Sequence, residues 1–228
     1  MQAQPELMQD LVLVGGGHTH ALVLRMLAMD PIAGLRITLI SPASHTPYSG
    51  MLPGLVAGHY GFEQTHIDLT RLCQWAGVRF IESEVTALDP QKKRLSLAGR
   101  PGIEYDLVSL DIGSQPELDS VPGAREHSIS VKPVSGLWQR WHQLSPILAG
   151  QNEPKSIGVV GGGAGSVELV LAMAHALAGR TVNITLFCGA TEVLSGYNRG
   201  ARSAVMSALQ RHGIKLLVNS RVSAVNNR

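Results

Sequence analysis

The sequence predicts an α/β protein containing two Rossmann-like βαβ nucleotide-binding units. Two glycine-dense turns, Gly15-Gly16-Gly17 and Gly161-Gly162-Gly163, each follow a short apolar run and precede a stretch with helical apolar spacing. The surroundings repeat as well: residues 11–41 and 156–188 both run strand, glycine turn, helix, strand. Apolar runs of strand length without alternation mark strands covered on both faces, as in parallel sheets. A βαβ unit then fixes a parallel pair with a right-handed crossover.

Taken in order, residues 11–14 form the first predicted strand, 21–29 a helix and 35–40 a second strand. Residues 41–60 are rich in Pro and Gly and predict a shaped loop with one helical turn. Helical spacing covers 67–76 and Gly77 ends it; short strands follow at 78–81, 84–88, 94–97 and 107–110. A turn at 112–116 closes this region, and the boundary is set near Val121-Pro122-Gly123, giving domains 1–120 and 121–228. Beyond it come a helix over 137–148, the second repeat with its helix over 166–178, a helix over 200–211 and a strand over 214–218. Residues 221–225 look like the start of another strand pair, so a longer parent protein, incomplete here at the C-terminus, is expected.

Composition narrows the class. The 228 residues are 44% hydrophobic and 16% charged, with a formal net charge of +2, which describes a folded chain without a polyanion-binding charge excess. The one basic run, Lys92-Lys93-Arg94, follows Asp89-Pro90 and is expected at a solvated turn. Cys73 and Cys188 are distant and form no Cys-x-x-Cys pair, which excludes a local redox disulfide and a zinc ribbon. With an acidic, polar start and no long apolar run, a cytoplasmic location is expected.

The chemistry-bearing residues cluster at the glycine turns. Backbone N–H groups and the positive end of a helix dipole meet there, so a phosphate is the natural occupant. The dinucleotide fingerprint wants three glycines: for the turn, for approach to the pyrophosphate, and for close helix packing. Gly15 and Gly17 fill the first two places, but His20 takes the third and Ser41 replaces the ribose-binding acid. In the second copy Gly161 and Gly163 are in place, Ser166 is third, and Cys188 stands where the acid belongs. Arg199 and Arg202 are read as surface charges rather than partners of a 2′-phosphate. His18, His20, His45, His59 and His66 are scattered over loops and a helix start, which argues against a metal site and for His18 as a donor near a phosphate. Glu168 has two readings: a carboxylate favoured by the helix dipole, or a group that orients the nicotinamide or relays a proton.

The order of these pieces resembles the pyridine nucleotide-disulfide oxidoreductase superfamily, whose three-layer fold binds FAD and NAD(P)H, and within it the type II NADH dehydrogenase-like branch. Three stretches, Gly15-Gly16-Gly17-His18-Thr19-His20, His45-Thr46-Pro47-Tyr48-Ser49-Gly50-Met51-Leu52-Pro53-Gly54 and Leu110-Asp111-Ile112-Gly113-Ser114, look like the oxidoreductase domain found N-terminal to selenide, water dikinase (selenophosphate synthase). The resemblance implies that Gly15, Gly17, His18 and Thr19 hold the FAD pyrophosphate, with Ser41 near the ribose. It implies that Pro47, Tyr48, Ser49, Gly50, Met51 and Leu52 pass the isoalloxazine ring. Val85 would meet adenine through its backbone, and Gly113 and Ser114 would form the return turn. Gly161, Gly163, Ala164, Gly165, Ser166 and Cys188 would surround NAD(P)H, with Glu168 and Lys132 as catalytic residues.

The implied activity is FAD-dependent oxidation of NAD(P)H, with electrons passed to a small acceptor such as a quinone or a selenium or sulfur compound. Without a cysteine pair the flavin would pass them on directly. Expected partners are that acceptor, a selenophosphate synthase domain and a second copy of the chain, with neither nucleic acid nor a membrane span. Two alternatives stay open: a non-catalytic nucleotide-binding module that regulates or docks a selenophosphate synthase, and a Rossmann protein using only one repeat.

Overall fold

A computed structural model describes residues 8–150 and 154–227. In chain order the strands are β1 (Gln9–Val14), β2 (Leu35–Ser41), β3 (His45–Pro47), β4 (His66–Asp68), β5 (Arg79–Glu82), β6 (Val85–Asp89), β7 (Arg94–Leu97), β8 (Arg100–Glu104), β9 (Leu107–Leu110), β10 (Lys155–Val160), β11 (Val182–Phe187) and β12 (Lys215–Leu217). The α-helices are α1 (His18–Met29), α2 (Leu52–Ala57), α3 (Phe62–Thr65), α4 (Leu69–Ala76), α5 (Ala124–His127), α6 (Val134–Gly150), α7 (Ala164–Ala176) and α8 (Arg199–Arg211). No helix among the described residues is long and apolar enough to cross a membrane. The described residues fold as two compact units, one within residues 1–48 and 66–114, the other within residues 49–65 and 115–228.

The first unit has three layers. Its central sheet runs β5-β2-β1-β9 with every pairing parallel. Alternation along β1 sends Leu13 to one face, where it packs with Leu24 of α1, Leu39 of β2, and Leu69 and Cys73 of α4. Val12 and Val14 face the other way, onto Leu95 and Leu97 of a second, antiparallel sheet of order β6-β7-β8. Both faces are covered, which is why β1 is apolar without a break from Leu11 to Val14.

Three sequence expectations change here. Residues 66–68 form a strand antiparallel to β3 instead of opening the helix; Asp68 then N-caps α4 by accepting the Arg71 N–H at 3.0 Å. Strand β8 was hidden by Pro101-Gly102, and it is tolerated because β8 is the edge of its sheet. Residues 221–225 form no strand.

The second unit has a parallel sheet of order β10-β11-β12. Its core gathers Val159, Val167, Val170, Met173, Leu186 and Leu209, and it includes Leu52 and Val56 from the upstream segment. Trp141 of α6 is buried there and donates from Nε1 to the Val56 carbonyl at 3.1 Å. Residues 49–65 therefore group with the second unit, and the division after Ser114 falls ahead of the expected position 120.

Burial gives one testable property at once. Cys73 is 1% exposed, and burial pushes its thiol up from 9.0 to about 11. Between those values the folded state keeps a proton that the unfolded chain has released, so stability falls as pH rises, by at most about 1.4 kcal/mol per unit. Urea midpoints at about pH 8 and about pH 10 should differ by less in Cys73→Ala than in the parent. An equal difference in the two proteins contradicts this.

Candidate functional site

The first glycine turn leaves β1 with its backbone still tied to the sheet: the Gly15 N–H donates to the Ile40 carbonyl at 2.8 Å. Gly15 has φ +96°, and a Cβ there would run into the Asp111 carbonyl just beyond β9. A Cβ on Gly16 would meet Leu69 and the Ser41 hydroxyl. The third fingerprint position is answered differently. His20 is 1% exposed; its Nδ1 lies 2.7 Å from the Gly15 carbonyl and its Nε2 2.9 Å from the Ser109 hydroxyl. A carbonyl only accepts, so Nδ1 carries hydrogen and donates to it. Where a glycine would let helix and strand touch, the imidazole joins turn, helix and β9.

Asp111 completes the arrangement. Its Oδ2 accepts the His20 backbone N–H at 3.2 Å, one of the donors that the first turn of α1 leaves without an intrahelical partner. A Cβ on Gly17 would fall on the same carboxylate. The second fingerprint glycine ordinarily lets the backbone come close to a pyrophosphate, and here the side that a Cβ would take is occupied by the Asp111 carboxylate.

The other expected residues of this unit lie around the turn. His18 and Thr19 are exposed at the start of α1, and the His18 ring stacks on Tyr48 at 4.7 Å and 23°. Pro47 lies in β3 and Val85 opens β6. Gly113 (φ +74°) faces open space and Ser114 is exposed. Ser41, expected near a ribose, is 5% exposed and packed beneath Gly16. Ser49, Gly50, Met51 and Leu52 belong to the second unit, as a 3-10 turn leading into α2, where Leu52 is buried.

The second turn repeats the backbone tie, Gly161 N–H to the Phe187 carbonyl at 2.9 Å. Gly161 has φ +143°, and a Cβ there would press on Ser166, whose hydroxyl donates to the Gly163 carbonyl at 2.9 Å. Cys188 lies beneath Gly162 as Ser41 lies beneath Gly16: it is 1% exposed, and its thiol donates to the Glu192 carbonyl at 3.5 Å. The two stand-ins for the ribose acid thus share a packing role, one small side chain under each middle glycine.

The two turns differ in what lies in front of them. A Cβ on Gly163 or Gly165 would meet nothing within 4 Å. A pocket of about 300 Å³ opens there, lined by Gly162, Gly163, Gly189, Glu192 and Tyr197 among others. Leu194 holds its floor in a left-handed conformation (φ +56°) and donates its N–H to the Gly162 carbonyl at 2.8 Å. Ala164 begins α7 directly behind Gly163. Glu168 is exposed on α7 and makes no ion pair or side-chain hydrogen bond among the described residues; Lys132 is exposed ahead of α6.

Two carboxylates at these turns have no assigned role in the sequence reading. Glu192, four residues beyond the expected acid, lines the pocket and is ion-paired with Arg202. The signal for it is an acidic residue in the short loop after β11, displaced from the usual spacing. Asp111 stands in a quoted motif, yet its place at α1 follows only from the pairing of β1 with β9.

Comparison with known proteins fits this geometry. Residues 9–228 match the family model described as pyridine nucleotide-disulphide oxidoreductase. The chain is 24% identical to the NADH dehydrogenase-like protein YutJ of Bacillus subtilis, covering 96% of this chain and 59% of that protein. It is 23% identical to the demethylphylloquinone reductase NdbB of Synechocystis, covering 92% and 53%. Among solved structures, NDH2 from Plasmodium falciparum in complex with NADH superposes with a TM-score of 0.82 at 16% identity, covering 96% of this chain and 49% of that one. The sulfide:quinone oxidoreductase of Aquifex aeolicus gives 0.74 at 21%, covering 96% and 52%. The chain spans about half the length of the relatives it matches. With two glycine turns in one parallel-strand context and a family match over residues 9–228, the chain belongs to the pyridine nucleotide-disulphide oxidoreductase family.

Proposed function

We propose that the chain is the nucleotide-binding portion of an FAD-dependent NAD(P)H oxidoreductase that delivers electrons to a quinone. Family membership supports FAD and NAD(P)H as the cofactors, and the second turn fits a dinucleotide because Gly163 and Gly165 leave its approach clear. That open cradle is the observation on which the reading rests. When bound, the two cofactors supply hydride transfer from a pyridine nucleotide to a flavin. The protein's part is to hold them: α7 presents its N-terminal N–H groups and dipole to a pyrophosphate, and the Glu192 carboxylate can accept from a ribose hydroxyl. Glu168 and Lys132 are the candidates for handling a proton or orienting a nicotinamide. Names of relatives such as the Synechocystis demethylphylloquinone reductase support a quinone as acceptor.

The test is anaerobic titration of the FAD-supplemented protein with NADH and NADPH, followed by a soluble quinone. Loss of the flavin colour, then its return with the quinone, is expected; a flavin that stays oxidised overturns the reading. Gly163→Val should weaken NADH binding by about tenfold or more with little change in melting temperature, since its Cβ enters open space and its backbone is extended. Unchanged affinity by calorimetry would remove Gly163 from the site.

A second reading has its own observation, the Asp111 carboxylate against Gly17 at the first turn. On that reading the first turn is closed and the chain is a non-catalytic module, docked to a selenophosphate synthase as its motif resemblance suggests. Asp111→Asn separates the two, because it keeps an acceptor for the His20 N–H and removes the competing charge. If the turn takes FAD, the variant should bind it about tenfold more tightly. If neither protein binds FAD, the module reading gains.

A further inference from the structure

The first unit holds a cavity of about 690 Å³ that neither glycine turn uses. It lies between the central sheet and the antiparallel sheet β6-β7-β8, toward the ends where β1, β2 and β5 begin, whereas the glycine turn follows the end where β1 finishes. Val12, Ile81, Leu97 and Ile103 give it apolar walls. Four arginines line it as well: Arg36, Arg79, Arg94 and Arg100.

The charges around it are not balanced. Asp10 clamps Arg36 through two bonds of 2.5 and 2.6 Å, a pairing that lowers the Asp10 carboxyl pKa and raises that of Arg36. Arg79, Arg94 and Arg100 make no ion pair or side-chain hydrogen bond among the described residues. Glu104, the other lining carboxylate, pairs across the strands with Arg94 in register, yet it too makes no ion pair among the described residues. Thr38 adds a hydroxyl to the lining. It is only 6% exposed, and its hydroxyl makes no hydrogen bond among the described residues. Its hydroxyl opens onto the cavity and can donate to an oxyanion held there.

We propose that this cavity is a binding site for a small-molecule oxyanion, a phosphomonoester or a carboxylate, attached to a flat apolar body. Guanidinium forks match both oxyanions in bidentate geometry, and the apolar walls take the body. The volume lies within the range of small-ligand pockets, about 300 to 1,000 Å³. The site is separate from the glycine turns, so it stands whether or not the oxidoreductase reading holds.

Calorimetric titration with AMP and with benzoate, and with adenosine as the uncharged control, tests it. The parent and Gly163→Val proteins should both bind at least one of the two anions saturably, and adenosine about tenfold or more weakly. The double variant Arg79→Gln/Arg100→Gln, altered only at exposed side chains, should lose about tenfold or more in anion affinity while keeping its melting temperature and its NADH affinity. Thr38→Val, close to isosteric, should lose about threefold or more through the missing hydrogen bond. A preference for AMP assigns a phosphoester, and a preference for benzoate assigns a carboxylate. Binding that is equal in the parent and the arginine variant, or absent for both anions at millimolar concentration, overturns the proposal.

Discussion

Gly15→Ala should cost the first unit about 3 kcal/mol or more, measured as a fall in the urea midpoint. Two effects add. Alanine is strained at φ +96°, and its Cβ would be driven into the Asp111 carbonyl, which is backbone and has no rotamer to change. Relief requires β1 and the segment after β9 to separate, although the Asp111 N–H donates to the Val14 carbonyl at 2.8 Å immediately beside the clash. A variant within about 1 kcal/mol of the parent would show that this turn is softer than its hydrogen bonds imply.

His20→Gly should also destabilise, by about 4 kcal/mol, even though it writes the fingerprint's third glycine back into the sequence. The fully buried imidazole leaves a cavity behind, the Gly15 carbonyl and Ser109 hydroxyl lose their partner, and a glycine enters a helix. The glycine of the general pattern works only where helix and strand are already close. Here the spacing is set by a ring between them. His20→Asn, which retains a donor but not the volume, should fall between the two. Equal or greater stability of His20→Gly would refute the bracing role.

Much of the fold was legible because its causes are local. The β1 run Leu11 to Val14 shows a strand covered on both faces, and the spacing of Gly15-Gly16-Gly17 before α1 shows a turn into a helix. Strand β4 was not legible, since a three-residue strand exists only through its pairing with β3. Strand β8 was concealed by Pro101-Gly102, residues permitted there by an edge position that no local pattern reveals.

The site divides in the same way. The departures at His20, Ser41, Ser166 and Cys188 were visible as missing glycines and acids. What replaces them was not. Asp111 and Ser109 reach His20 from about ninety residues away, and only the sheet order decides that they meet. Glu192 escaped because its loop sets the carboxylate beyond the expected spacing, and the arginine-lined cavity escaped because its walls come from five strands.

One feature of the chain's path bears on its biosynthesis. Residues 49–65 leave the first unit after Tyr48, place Leu52 and Val56 in the core of the second, and return at His66. The α7 residues that cover them, Val167 to Met173, emerge from the ribosome only after the whole remaining first unit has been made. Until then α2 has an apolar face with no permanent partner, a non-local closure of the kind that slows folding and invites chaperone capture. The two units are thus stitched into one order of synthesis, and a cut after Ser114 would part α2 from the core that it completes.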